Sequence, residues 1–245
     1  MNSLLREDTR QALYLIQQFL EKGIPLNDIY VEILTESMHR VGDLWHTARI
    51  SVAEEHYCTS VTQMAMSQMY PQLFSSERKN RRILCACPGT ELHEMGSRMV
   101  ADLFENDGWD STYLGAAVPV DAMLQSIGEQ TPDLVALSVT MPQHLMTCRD
   151  LVDAIRAAFP TLKIAVGGKA FQSTHDIWNQ WPVDLYTTDG RQLIAALQER
   201  SLTAKERRTG VAETLDTDNI PWRMQRESCQ QHMERWDGSG YPDGR

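Results

Sequence analysis

The stretch Ile83-Leu84-Cys85-Ala86-Cys87-Pro88-Gly89-Thr90-Glu91-Leu92-His93-Glu94-Met95-Gly96 decides the fold. Its first five residues form a short, wholly apolar run, and after a polar loop the pattern turns helical over about 94–107. A strand that is apolar on both sides has to be covered on both sides. The same rhythm recurs downstream, with strand candidates at Trp109–Leu114, Leu134–Val139, Ile164–Val166 and Asp184–Tyr186. Helices fit between and after them near 120–130, 145–159, 172–180 and 190–199. Five near-continuous apolar strands joined by helices predict an α/β fold with a five-stranded parallel sheet, whose ligands sit beyond the carboxyl ends of the strands.

Upstream of a polar, basic break at Ser75–Arg82, the chain reads as helices. Leu13, Ile16 and Leu20, then Ile29, Ile33 and Leu34, recur mostly at three- and four-residue intervals, and Pro25 and Asn27 mark a break. A third helical run starts near Val52 and carries Met64, Met66 and Met69, read as adaptable core. From about Ser201 the chain is polar and weakly patterned. The expected organisation is therefore a helical bundle over 1–76, a sheet domain over 82–201 and a tail over 202–245.

Composition narrows the function classes. The 245 residues are 42% hydrophobic and 23% charged, which is globular rather than disordered. Twenty-three basic against 33 acidic residues leave a formal charge of -10, so direct nucleic-acid binding is not expected. No apolar run is long enough to span a bilayer, and the N-terminus does not read as a signal peptide, so the expected location is the cytoplasm without membrane attachment. The odd set of Cys58, Cys85, Cys87, Cys148 and Cys229 contains no C-x-x-C pair and reads as reduced thiols.

The chemistry gathers at the strand ends. Glu91 and His93 occupy the first strand-to-helix loop, Ser138-Val139-Thr140 closes the third strand and Gly167-Gly168 the fourth. An imidazole can ligate a metal through one nitrogen while a carboxylate holds the N–H of the other, and Glu91 can orient His93 in that way. Gly96, Gly167 and Gly168 leave room for a bulky group near the backbone, and Ser138 offers a hydroxyl. Taken singly each has a plain structural reading; Gly-Gly after a strand is common turn chemistry. Together and in order they form a specific signal.

The motifs E-x-H-x-x-G, S-x-T and G-G resemble the D-x-H-x-x-G, S-x-L, G-G signature of cobalamin-binding Rossmann-like (flavodoxin-like) domains, over about Arg82 to Ser201. The resemblance implies that His93 is the lower cobalt ligand and that the displaced nucleotide tail enters a crevice lined by Ser138, Gly167 and Gly168. Glu91 stands where that family usually has Asp, and Thr140 where it has Leu, which makes that wall more polar.

The helical segment contributes Trp45-His46 followed by Glu55-His56, a W-x9-E-H spacing. This resembles the cap of adenosylcobalamin-binding photoreceptors of the CarH type. The resemblance implies that Trp45 shields the upper face and that Glu55 and His56 meet the adenosyl group. It further implies that His46 takes the upper cobalt position once light expels that group. A light sensor signalling through a protein partner or through self-association is thus the leading expectation, without catalytic turnover. A corrinoid methyl-carrier subunit of a cobalamin-dependent methyltransferase is the alternative, disfavoured because Trp45 and the Glu55-His56 pair crowd the face from which a methyl group leaves.

Near the C-terminus, His232 to Gly244 is similar to the H-H-E-x-x-D-G-x-G-Y-P signature of HD-GYP cyclic-di-GMP phosphodiesterases. Met233 replaces the second histidine, and the helices that supply the metal ligands are missing. The tail is read as a relic or a docking segment without hydrolase activity.

Overall fold

A computed structural model describes residues 2–174 and 176–200. The HD-GYP-like stretch within 202–245, and His175, lie outside the described residues. Met1–Ala196 form one compact unit that holds both the helical segment and the sheet, and a second unit begins at Leu197.

The strands are β1 (Arg82–Pro88), β2 (Asp110–Val118), β3 (Leu134–Ser138), β4 (Lys163–Gly167) and β5 (Leu185–Thr187). They pair in the order β2-β1-β3-β4-β5, and every neighbouring pair is parallel. Both faces of β1 are covered, as its continuous apolar run requires. Leu84 and Ala86 pack with Val135, Leu137, Ile164 and Val166 against α7 (Val120–Gln130) and α8 (Leu145–Ala158). Successive side chains alternate between faces, so Cys85 and Cys87 point the other way, where α6 (Met95–Asn106) lies against β1 and β2. The four cysteines among the described residues are free and buried.

The helical segment comprises α1 (Asn2–Leu5), α2 (Thr9–Glu21), α3 (Leu26–Asp28), α4 (Glu36–His46) and α5 (Val52–Met69). Pro25 starts α3, so the expected break falls where the sequence put it. Between α3 and α4 the backbone runs as a π-helix over Ile29–Thr35, where a regular α-helical periodicity is the sequence expectation. Ile29 and Leu34, five residues apart, are the buried pair together with Tyr30, while Ile33 is only half-buried. The Thr35 hydroxyl donates to the Tyr30 carbonyl at 2.9 Å and so helps satisfy the widened turn. Two further expectations are corrected. Met66 and Met69 are core, but Met64 is 45% exposed. The helix expected over 172–180 is instead a short α9 (Lys169–Gln172) and a 3-10 turn at Ile177–Gln180; α10 (Gly190–Arg200) follows β5. No helix of the described residues is long and apolar enough to cross a membrane.

The π-helical stretch is rooted on α6. The Tyr30 hydroxyl donates to Asp102 Oδ2 at 2.8 Å in a buried contact, and Asn106 Nδ2 donates to Asn27 Oδ1 at 3.0 Å. Arg191 reaches from α10 to Asp28 at 3.1 Å and to Glu32. Burial pushes both the Tyr30 phenol and the Asp102 carboxyl up from their ordinary values. Tyr30→Phe strips Asp102 of that donor and is expected to lower unfolding free energy by about 1–3 kcal/mol; equilibrium urea denaturation measures it, and an unchanged midpoint refutes the anchoring role.

Candidate functional site

In a parallel sheet of this order the chain leaves β1 toward β2 on one side and later returns to β3 on the other, opening a crevice at the carboxyl ends of β1 and β3. The loop after β1 carries Glu91 and His93, and the loop after β3 begins at Val139. Glu91 spans the two. Its side chain is wholly buried. Oε1 accepts from the His93 amide at 2.9 Å and lies 2.6 Å from His93 Nδ1. Oε2 accepts from the amides of Thr140 and Met141, both at 2.9 Å. His144 Nδ1 stands 3.1 Å from the same oxygen, close enough for a charge contact but outside good hydrogen-bond alignment.

Burial alone drives a carboxyl up. Here its neighbours outweigh it: the His144 imidazole beside it and the His93 side chain, then the Met141 and His93 amides, hold Glu91 well below the usual carboxylate range. An anionic Glu91 against His93 Nδ1 fixes the proton on that nitrogen and leaves Nε2 with the lone pair a metal needs. The His93 side chain is 40% exposed, so the ring is presented and not enclosed. Behind the loop, Cys87 Sγ lies 3.7 Å from the His93 carbonyl. Burial, reinforced by Glu91, pushes its thiol up to about 12, so it stays protonated and does not compete as a ligand.

A second cluster adjoins the first. Ser138 pairs in register with Gly167 across β3 and β4, and a Cβ on Gly96 would sit 3.8 Å from Ser138 Oγ. Gly96, Ser138 and Gly167 thus lie close together. The reason for the glycines differs from the expectation at two of them. A Cβ on Gly168, whose φ is +104°, would collide with the Val139 backbone, and one on Gly167 would come within 2.8 Å of the Thr187 carbonyl. These glycines are demanded by the chain's own close packing. Only at Gly96 would a side chain meet ordinary contact, so there the glycine leaves open space. Thr140 joins the site through its backbone amide, which any residue type could supply.

The helical residues lie on two elements. Half-buried Trp45 and exposed His46 end α4, and Glu55 and His56 lie in the first turn and a half of α5. His56 Nδ1 is 2.7 Å from Glu55 Oε2, and the Thr59 hydroxyl donates to Glu55 Oε1 at 2.7 Å. The neighbouring Glu54 is taken up by a capping box with Ser51, which starts α5. Asp43, on the last turn and a half of α4, pairs with Lys169 at 3.0 Å. That contact sets the end of α4 beside the β4 edge of the crevice. Sequence reasoning missed His144, the Met141 amide, Asp43 and Lys169.

The chemistry of this set fits a metal-centred cofactor. An oriented imidazole faces out of the switch-point crevice, and a hydroxyl and an open space at Gly96 lie beside it. Comparison with known proteins agrees. Residues 81–191 match the model of a B12 binding domain, and residues 2–70 match a second model of a B12 binding domain. Over 123 residues the chain is 33% identical to the HTH-type transcriptional repressor CarA of Myxococcus xanthus, covering 49% of this chain and 41% of that protein. It is 27% identical over 166 residues to the repressor CarH of the same organism, covering 67% and 54%. The chain thus spans only about half the length of these repressors or less. Monomethylamine corrinoid protein 2 of Methanosarcina acetivorans is 24% identical over 180 residues, covering 70% of this chain and 82% of that one. The structure of the Methanosarcina barkeri monomethylamine corrinoid protein superposes with a TM-score of 0.71 at 19% identity, over 81% and 94% of the two chains, and so shares the fold.

Glu91 carries a testable pH signature. Its folded pKa is depressed, so its stabilisation is fully present above the ordinary carboxylate range near pH 4.3 and is lost progressively as pH falls below it. Glu91→Gln is expected to cost about 2–3 kcal/mol at pH 7 and to flatten the acid limb of the stability curve. Urea midpoints between pH 7 and pH 3 measure both effects, and an acid limb unchanged by the substitution refutes the assignment.

Proposed function

We propose that this chain, which carries a B12-binding fold over residues 2–70 and 81–191, holds adenosylcobalamin between its helical segment and its sheet and serves as a light sensor. The observation that carries the cofactor reading is the 2.6 Å contact of His93 Nδ1 with buried Glu91 at the switch point of the sheet. Bound adenosylcobalamin supplies a cobalt–carbon bond that light can break and a cobalt that accepts imidazole nitrogen.

The protein's own residues have distinct tasks. His93 offers Nε2 to the cobalt from below, and Glu91 keeps the proton on Nδ1. Ser138 gives a hydroxyl to the nucleotide tail beside Gly96, Gly167 and Gly168, and the Thr140 amide holds Glu91 in place. From the helical side, Trp45 covers the upper face with an indole, and Glu55 and His56 supply an acceptor and an imidazole for a nucleoside-sized group. His46 would offer a second imidazole to the cobalt. Loss of the upper group's contacts shifts the population of helical-segment positions, and the signal passes to a protein partner or to self-association. The likeness to CarA and CarH supports the adenosyl form. The tail resembling HD-GYP enzymes has no hydrolytic part in this reading.

A second reading, a corrinoid methyl carrier working with a methyltransferase, is favoured by one observation, the match to monomethylamine corrinoid protein 2 over 82% of that protein's length. Spectroscopy separates the two. Protein loaded with adenosylcobalamin is expected to show a histidine-on, base-off spectrum and a lasting change after brief illumination, which His46→Ala alters or abolishes. His93→Ala is expected to weaken binding by more than about tenfold. A loaded protein whose spectrum returns unchanged after the lamp, and which prefers methylcobalamin, overturns the sensor in favour of the carrier.

A further inference from the structure

The five strand-to-helix connections are poor in cations. Among the described residues, Lys169 is the only lysine or arginine within two residues of the carboxyl end of a strand. The chain as a whole carries a formal charge of -10, a setting that repels a phosphodiester unless a local cation offsets it. Lys169 follows directly on Gly167-Gly168, and Gly167 is the register partner of Ser138. Its ammonium rests on Asp43 at 3.0 Å, with side chains 56% and 69% exposed. An ion pair that exposed contributes little stability and exchanges partners readily.

We infer that Lys169 recognises the phosphodiester of the cofactor's nucleotide tail, and that loading moves its ammonium from Asp43 to that phosphate. The inference rests on the cofactor reading above, since it takes the tail to run past Ser138 and Gly167. A lysine suits the task as a compact point charge on a long stem, able to follow a phosphate without a fixed fork geometry. Asp43 is the competitor for the same ammonium. It lies two residues before Trp45, so its release also unties the end of α4 from the β4 edge of the crevice.

The test compares cobalamin with cobinamide, the same corrin without the nucleotide, by titrating the whole apoprotein and following absorption and tryptophan fluorescence. Lys169→Ala is expected to weaken cobalamin binding about tenfold while leaving cobinamide binding unchanged, and Lys169→Arg is expected to restore most of the loss. Asp43→Ala is expected to tighten cobalamin binding, because it removes the competitor. If the lysine acts only by tying the helical segment to the sheet, Asp43→Ala weakens binding as Lys169→Ala does, and both corrinoids lose equally; that pattern overturns the inference, as does a Lys169→Ala variant that binds cobalamin as tightly as the parent. A parent protein that binds neither corrinoid sinks the cofactor reading itself, which is a separate failure.

Discussion

One buried carboxylate holds the two halves of the sheet's functional edge together. A negative charge with no solvent exposure is costly unless donors surround it, and Glu91 has four donor contacts within 2.9 Å plus His144 at 3.1 Å. The donors come from loops on both sides of the switch point, one oxygen serving each side. Neither loop can move without stripping the carboxylate, so the direction of the His93 ring is set by the same interaction that closes the sheet edge. The additional methylene of glutamate over aspartate gives the arm the reach to serve both loops from one residue. Function and stability therefore meet in a single group.

Where the chain was readable, the reason is physical. The sheet was legible because strands covered on both faces must be apolar without alternation, and β1, β3 and β4 end within a residue or so of their expected limits. β2 extends four residues beyond expectation, through Gly115, Ala116 and Ala117 to Val118. Small residues give no apolar signal there, and the register shifts beside Ala86. The π-helix escaped notice because Ile29 and Ile33 satisfy an α-helical spacing as well, and only docking on α6 selects the wider one. The segment after β4 was misread because Ser173 and Thr174 turn back on the carbonyls of Ala170 and Phe171, a local competition that hydrophobic spacing cannot register.

The same divide runs through the site. Glu91 and His93 were readable because their contact is between residues two apart in sequence, where a motif can record it. The Thr140 and Met141 amides bond across 49 and 50 residues, and a backbone donor leaves no mark in residue type. His144 stands in an unremarkable Pro-Gln-His turn. The glycines were found for an incomplete reason. Gly168 and Gly167 are required by the backbones of Val139, after β3, and Thr187, at the end of β5, a consequence of tight strand-end packing before any ligand is considered.

Two of the contacts that join the helical segment to the sheet differ greatly in strength. At its root, Tyr30 and Asp102 share a buried hydrogen bond, and Ile29, Tyr30 and Leu34 are buried. Opening this end exposes apolar surface and leaves a buried carboxyl without its donor, a cost of several kcal/mol at about 25 cal/mol per Å² plus the lost hydrogen bond. At the α4 end, the exposed Lys169–Asp43 pair reaches the β4 edge, and pairs of that kind contribute about 0–1 kcal/mol. That pair is a far weaker contact than the one that fixes the π-helical stretch on α6.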